Sequence, residues 1–278
     1  MMTQSSRRRR AVAAGAAAVT LTAVVALAHD MFLKPAQYFV APNAAIPAML
    51  LNGTFDQSMN SIARVRLADI SIMGPSGRTR IDTAAWNPAG DTSRVVFKAG
   101  VAGTYVLGVS TKANAIEMDG KEFNEYLKLD GLPDELARRE KSGELATGAK
   151  ERYEKHVKSI VQVGDSRTSG FATVLGYPAE IVPLENPYSL TKGASLRVRI
   201  LVDGQPVAGQ YVTYGARTAS GGTIAEQGNR SGPDGVIAIP VTSPGAWYVK
   251  FINMRQVTKQ ADEVTHQSKW ATLTFGVK

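Results

Sequence analysis

Cysteine is missing from all 278 residues, which removes a disulfide framework, a thiolate metal site and a cysteine nucleophile together. Histidine is nearly as scarce, with only His29, His156 and His266 present. A serine nucleophile elbow of the Gly-x-Ser-x-Gly type is absent too, because Gly108-Val109-Ser110 has no closing glycine. Acidic residues such as Glu117, Asp119, Glu122 and Glu125 fall in a charged stretch that reads as a solvated face rather than a glycosidase pair. The chain is therefore expected not to be an enzyme. No segment interleaves aromatic residues with a basic stripe, so a nucleic-acid partner is not expected either. The three tryptophans, Trp86, Trp247 and Trp270, read as core anchors.

What the sequence does have is a junction at residue 28. Ser6-Arg7-Arg8-Arg9-Arg10 opens an apolar stretch from Ala11 to Leu27 that ends in small residues at Ala26 and Ala28, the three parts of a secretory leader. That stretch is shorter than the roughly 20 residues that a membrane helix needs. Cleavage after Ala28 is expected, in a protein exported to a bacterial periplasm. Losing the four leader arginines takes the net charge from +8 to +4, so most of the basicity belongs to the leader. A 250-residue remainder is long enough for one large domain or two ordinary ones.

Beyond His29 the pattern is mainly β, and two immunoglobulin-like or transthyretin-like sandwiches are expected. Strands are expected at Ala45 to Asn52, Ile62 to Met73, Arg94 to Lys98, Thr104 to Ser110 and Phe171 to Leu175, separated by turn residues such as Gly74-Pro75-Ser76-Gly77. Between about 117 and 161 the charge density rises. Phe123, Tyr126, Leu127, Leu132 and Leu136 recur at helical spacing, and Pro133-Asp134-Glu135 suits a helix start. Tyr153, Val157 and Ile160 predict a further helix from Lys150 to Ile160. The proline-punctuated run from Tyr177 to Tyr188 places a boundary near 180 between an N-terminal sandwich, 29–180, and a C-terminal one, 181–278. The second unit is expected to hold strands at Ser195 to Val202, Gln210 to Arg217, Gly235 to Pro240, Trp247 to Asn253 and Trp270 to Val277.

Several of these segments together carry a resemblance: His29-Asp30 with Pro35, Phe123-Asn124-Glu125-Tyr126-Leu127, Glu151-Arg152-Tyr153, the connector Ile181 to Tyr188 and the closing Trp270-Ala271-Thr272-Leu273-Thr274-Phe275. Over essentially the whole mature chain they resemble a large bacterial periplasmic family of unknown function often described as a nickel-uptake substrate-binding component. The resemblance implies a protein that handles nickel, cobalt or copper, with an inner-membrane metal transporter as partner. Relatives often carry a histidine where this chain has Asn253-Met254.

As a first residue, His29 would offer an α-amine and an imidazole Nδ1 that can close a chelate ring around a borderline metal ion. A second imidazole would usually complete such a brace. His266, in an expected polar loop, and His156, on the expected helix, are the candidates, with Asp30, Asp56, Asp262, Glu263 and Met254 as weaker donors. The bland reading of His29 is a frayed terminus, but Met31-Phe32-Leu33 follow at once and would tie it down. The competing function is a non-metal periplasmic recognition or scaffold module.

Overall fold

The structure is a computed structural model that describes residues 29–190, 193–258 and 263–278. The expected leader and its cleavage position at 28, and the weak candidate Asp262, lie outside the described residues. No helix among the described residues is long and apolar enough to cross a membrane.

The first part of the chain comprises β1 (Met31–Pro35), β2 (Phe39–Val40), β3 (Ala45–Asn52), β4 (Leu67–Gly74), β5 (Gly77–Arg80), β6 (Asn87–Ala89), β7 (Thr92–Lys98) and β8 (Gly103–Thr111). Then come β9 (Asn114–Met118), α1 (Gly120–Leu129), α2 (Pro133–Lys141) and β10 (Ala149–Val163). The rest is β11 (Ala179–Pro183), β12 (Ser195–Val202), β13 (Gln205–Pro206), β14 (Tyr211–Thr218), β15 (Thr223–Arg230), β16 (Val236–Pro240), β17 (Gly245–Gln256) and β18 (His266–Val277). The fold is mainly β and sandwich-like, as the turn spacing implies.

One ten-stranded sheet forms the spine, in the order β15-β14-β17-β18-β10-β8-β4-β5, with β2 and β9 also paired to β10. A four-stranded sheet, β1-β3-β7-β6, covers one end of it, and the two enclose a core that includes Leu33, Trp86, Phe97 and Val161. A second small sheet, of β11, β12, β13 and β16, covers the other end over Ile181, Ile200, Trp247 and Phe275. The two sandwiches thus share their widest layer. Its middle is the parallel pair β10 and β18, in which Glu151 faces His266 and Lys155 faces Trp270.

The structure corrects two local expectations. Lys150 to Ile160 is strand, not helix, because Val157, Ser159, Val161 and Val163 fit a period of two as well as the apolar residues fit 3.6, and β-branched side chains suit a central strand. The helical excursion is accordingly confined to α1 and α2. Phe171 to Leu175 is not strand either: a 3-10 turn occupies Ser169–Ala172, and the three amides of Leu175, Gly176 and Tyr177 point at the Glu180 carboxylate (2.7–2.9 Å) instead of at a neighbouring strand.

Helix α1 begins where the sequence supplies a capping box. Asp119 accepts from the Glu122 amide (2.8 Å) and the Glu122 side chain accepts from the Asp119 amide (3.0 Å). Its Phe123, Tyr126 and Leu127 are buried against Trp270 and Ile252, so α1 and α2 roof the β10, β18 and β17 face. Strand β1 is buried at Met31, Phe32 and Leu33, and the hydroxyls of Thr272 and Thr274 donate to the carbonyls of Met31 (2.7 Å) and Leu33 (2.6 Å). Residues just after 29 are therefore tied to the last strand.

Candidate functional site

Adjacent residues on a strand point to opposite faces, and β10 uses this to serve two places. Its odd-numbered Glu151 and Lys155 face the roof and the start of β1; its even-numbered Glu154 and His156 face the other side. Above the first face, a cavity of about 420 Å³ is lined by His29 and Asp30, the Gly53 to Phe55 turn, Asp130 at the end of α1, and Glu226, Tyr248 and Lys250. Five separate stretches of the chain meet there.

His29 is half-buried and its carbonyl oxygen accepts from the Lys155 ammonium, which also reaches Asn52 Oδ1 (3.3 Å) and lies 4.5 Å above the Trp270 ring. Burial, helped by the charge of Lys155 and opposed by that of Asp30, moves the His29 imidazole below its usual range. The shift favours the neutral form, whose lone pair is free of a proton. Burial also lowers Lys155 to about 8, despite the nearby charges of Asp30, Asp130 and Glu151.

Asp30 is fixed at two points and left open at a third. Its carbonyl accepts from the Gly53 amide (2.8 Å), its Oδ2 pairs with the Lys250 ammonium, and its Oδ1 is buried with no hydrogen-bond partner among the described residues. Lys250 also contacts Glu226 (3.1 Å), whose Oε2 accepts from Tyr248 (3.1 Å). Burial works against the Lys250 charge, but Asp30 and Glu226 outweigh it and hold the ammonium above its usual range. Burial, and next the negative charge of Asp30, push the Asp130 carboxyl well above the carboxylate range. Deeper still, Glu151 accepts from Tyr126 (3.1 Å) and from Ser268, yet its Oε2 has no partner among the described residues and burial raises its pKa. The site has more acceptors than donors to match them.

The other expected ligands lie elsewhere. His266 is not in a loop: it is the first residue of β18, buried, and both ring nitrogens are engaged, Nδ1 with Thr265 Oγ1 (2.9 Å) and Nε2 with Glu135 Oε1 (3.0 Å). Glu135 in turn holds Arg138 through both oxygens (2.7–3.1 Å), so His266 latches α2 onto the sheet. His156 is not on a solvated helix face: it is a buried strand residue on the far side of β10. The structure thus brings Asp30 to His29 and keeps both other imidazoles away. Asp56 pairs with Arg217 at the rim (2.7 Å), Glu263 is exposed, and Met254 packs partly buried under the roof. Among the described residues no three His, Asp or Glu side chains are grouped to hold a metal ion.

Sequence reasoning missed Asp130, Lys155, Glu226 and Lys250. Lys250 interrupts the apolar run from Trp247 to Ile252, a setting that marks a polar side chain on a covered face, whereas Lys155 lies between Glu154 and His156 and does not stand out. Asp130 and Glu226 give no such signal.

The sequence model of a family described as "Domain of unknown function (DUF4198)" matches residues 26–255. A search of curated proteins finds no match. Among solved structures, a DUF4785 family protein from Legionella pneumophila is 8% identical, with a TM-score of 0.23, over 78% of this chain and 50% of its own. Trypsin-activated alpha-2-macroglobulin from Escherichia coli is 9% identical, with a TM-score of 0.22, over 90% of this chain and 16% of its own. A two-domain fibronectin type-III segment of chicken tenascin is 12% identical, with a TM-score of 0.19, over 86% of this chain and 95% of its own. The chain thus spans half the length of the first of these and about a sixth of the second.

Proposed function

The chain belongs to the DUF4198 family, and we propose that it binds a divalent transition metal, nickel, cobalt or copper, through His29 at the start of the exported protein and hands it to an uptake system. The observation that carries this reading is the composition of the cavity. An imidazole whose pKa burial lowers shares it with Asp30, whose Oδ1 has no hydrogen-bond partner among the described residues, and with the Asp130 carboxyl. The Asp30 Oδ1 left over after Lys250 takes Oδ2 is the group that an added cation would meet.

Too few side chains converge to hold an ion alone, so the α-amine released by cleavage after Ala28 supplies the remaining nitrogen in this reading. Imidazole and amine nitrogens suit nickel, cobalt and copper, and a carboxylate completes the set. The ordered β1 makes His29 a fixed donor, because Met31 and Leu33 are held by Thr272 and Thr274 two and four residues further on. Delivery implies periplasmic export and an inner-membrane transporter as recipient.

Isothermal titration with Ni²⁺, Co²⁺ and Cu²⁺ tests the reading, comparing protein that begins at His29 with protein carrying one extra methionine before it. The extra residue acylates the chelating amine, and at least a tenfold loss of affinity is expected. Equal affinity of the two forms overturns the N-terminal chelate.

A further inference from the structure

On the opposite face of β10 lies a second group of ligands that the N-terminal site does not use. A cavity of about 310 Å³ opens between β4, β5, β8, β10 and the turn that leads into β11, and Glu154 and His156 both line it. The His156 ring is 1% exposed, and its Nδ1 is 2.9 Å from the Ser110 hydroxyl. Its Nε2 is buried and has no hydrogen-bond partner among the described residues. Glu154 Oε1 lies 3.9 Å from it, too far for a hydrogen bond. Glu154 is the flexible member of the pair, a quarter exposed.

We infer that Glu154 and His156 form a binding site for a borderline divalent ion such as zinc or cobalt, with Ser110 orienting the imidazole and water filling the remaining positions. A metal-bound imidazole characteristically anchors its other nitrogen to a neighbouring acceptor, and the Ser110 hydroxyl occupies that place. Two ligands about 2.0–2.2 Å from one tetrahedral ion stand roughly 3.4 Å apart, so the 3.9 Å separation closes with a small movement of the Glu154 side chain. Residues two apart on a strand share a face, so the spacing Glu154-x-His156 presents both donors together.

The cations around the mouth leave room for this charge. The Arg78 guanidinium is used up by Asp69 Oδ2 (2.7 Å), the Ser71 hydroxyl (3.1 Å) and the Leu175 carbonyl (2.7 Å). Arg80 leans on Asp69 Oδ1 (3.4 Å) with a side chain 78% exposed, and Lys112 is exposed at the rim. Asp69 answers the arginines, and Glu154 has no ion pair with a Lys or Arg among the described residues.

The test uses the His29→Ala chain, in which the N-terminal chelate is disabled, titrated with Zn²⁺ by calorimetry and with Co²⁺ by visible absorption. One ion per chain is expected to bind, with Glu154→Gln weakening it at least tenfold and Ser110→Ala weakening it 10–100-fold. In the proton NMR spectrum of the His29→Ala chain, Zn²⁺ should shift the His156 ring resonances and leave those of His266 in place. No ion bound to the His29→Ala chain overturns the inference, and so does unchanged affinity in Glu154→Gln. Because His156→Gln could unfold a buried position, the more exposed Glu154 carries the decision. Loss of binding on adding a residue before His29 concerns the other site only, so the two readings fail separately.

Discussion

Asp30 and Lys250 stand 220 residues apart in sequence and form an ion pair that joins the entry of β1 to the middle of β17. The side chains are only 12% and 7% exposed, so neither charge can turn to water if its partner is removed. The lysine also holds Glu226, and through that contact the C-terminal sandwich forms one wall of the cavity whose other wall is His29.

Lys250→Met is therefore expected to destabilise the fold by about 3–5 kcal/mol, because it leaves the Asp30 carboxylate buried without its counter-charge. Pairing the change with Asp30→Asn should recover part of the loss, and urea unfolding of both single variants and the double variant measures the coupling. Simple additivity would show that the pair does not act as a unit.

Metal binding at His29 is expected to weaken as pH falls. The free α-amine, with an ordinary pKa of about 8, begins to compete first, and the imidazole joins only below its usual 6.5 because burial lowers it. Titrations of Ni²⁺ between pH 8.5 and 5.5 should show affinity declining throughout, and a flat profile would contradict a nitrogen chelate.

A third expectation concerns acid stability. Burial opposes the Glu135 charge, but hydrogen bonds from His266 and Arg138 bring the carboxyl down to about 2. A carboxylate with a lowered folded pKa stabilises fully above its unfolded value of about 4.5, and the contribution disappears as pH falls toward 2. Glu135→Gln should flatten the decline in denaturation midpoint over that window, and the wild-type slope persisting in the variant would refute the assignment.

Lys155 gives a slope of the same direction at higher pH, but its charge costs stability at neutral pH where that of Glu135 adds to it. Burial lowers its folded pKa to about 8 while the unfolded chain keeps about 10.5, so between those values the unfolded state binds more protons and stability rises with pH. Replacing Lys155 with methionine, of similar length, should remove that rise in urea titrations at pH 8, 9 and 10. An identical rise in the variant would mean that another group is responsible.

How far the sequence reveals this molecule depends on how local each determinant is. The bounds of β3 and β12 follow from neighbouring residues and could be read directly, whereas the Asp119 and Glu122 that cap α1 read only as part of a solvated face. Strand β10 could not, because Tyr153, Val157 and Ile160 satisfy a helical period equally well, and what decides for strand is a partner 115 residues later in the chain: Glu151 beside His266. The candidate site divides the same way. His29 and Asp30 stand out at the leader junction, whereas Asp130, Glu226 and Lys250 come from separate elements and gain meaning only when the sheets close. His266 looked available because nothing nearby in sequence points to Glu135.

The parallel seam between β10 and β18 also bears on how the protein assembles. A ribosome or export channel releases β10 well before β18, the twelve-residue strand that lies alongside it. Until then the stretch of β10 from Glu151 to Ser159 has one bare rim of amides and carbonyls, open to mispairing with other chains. The opening half cannot seal itself, and completion waits for the tail of the polypeptide.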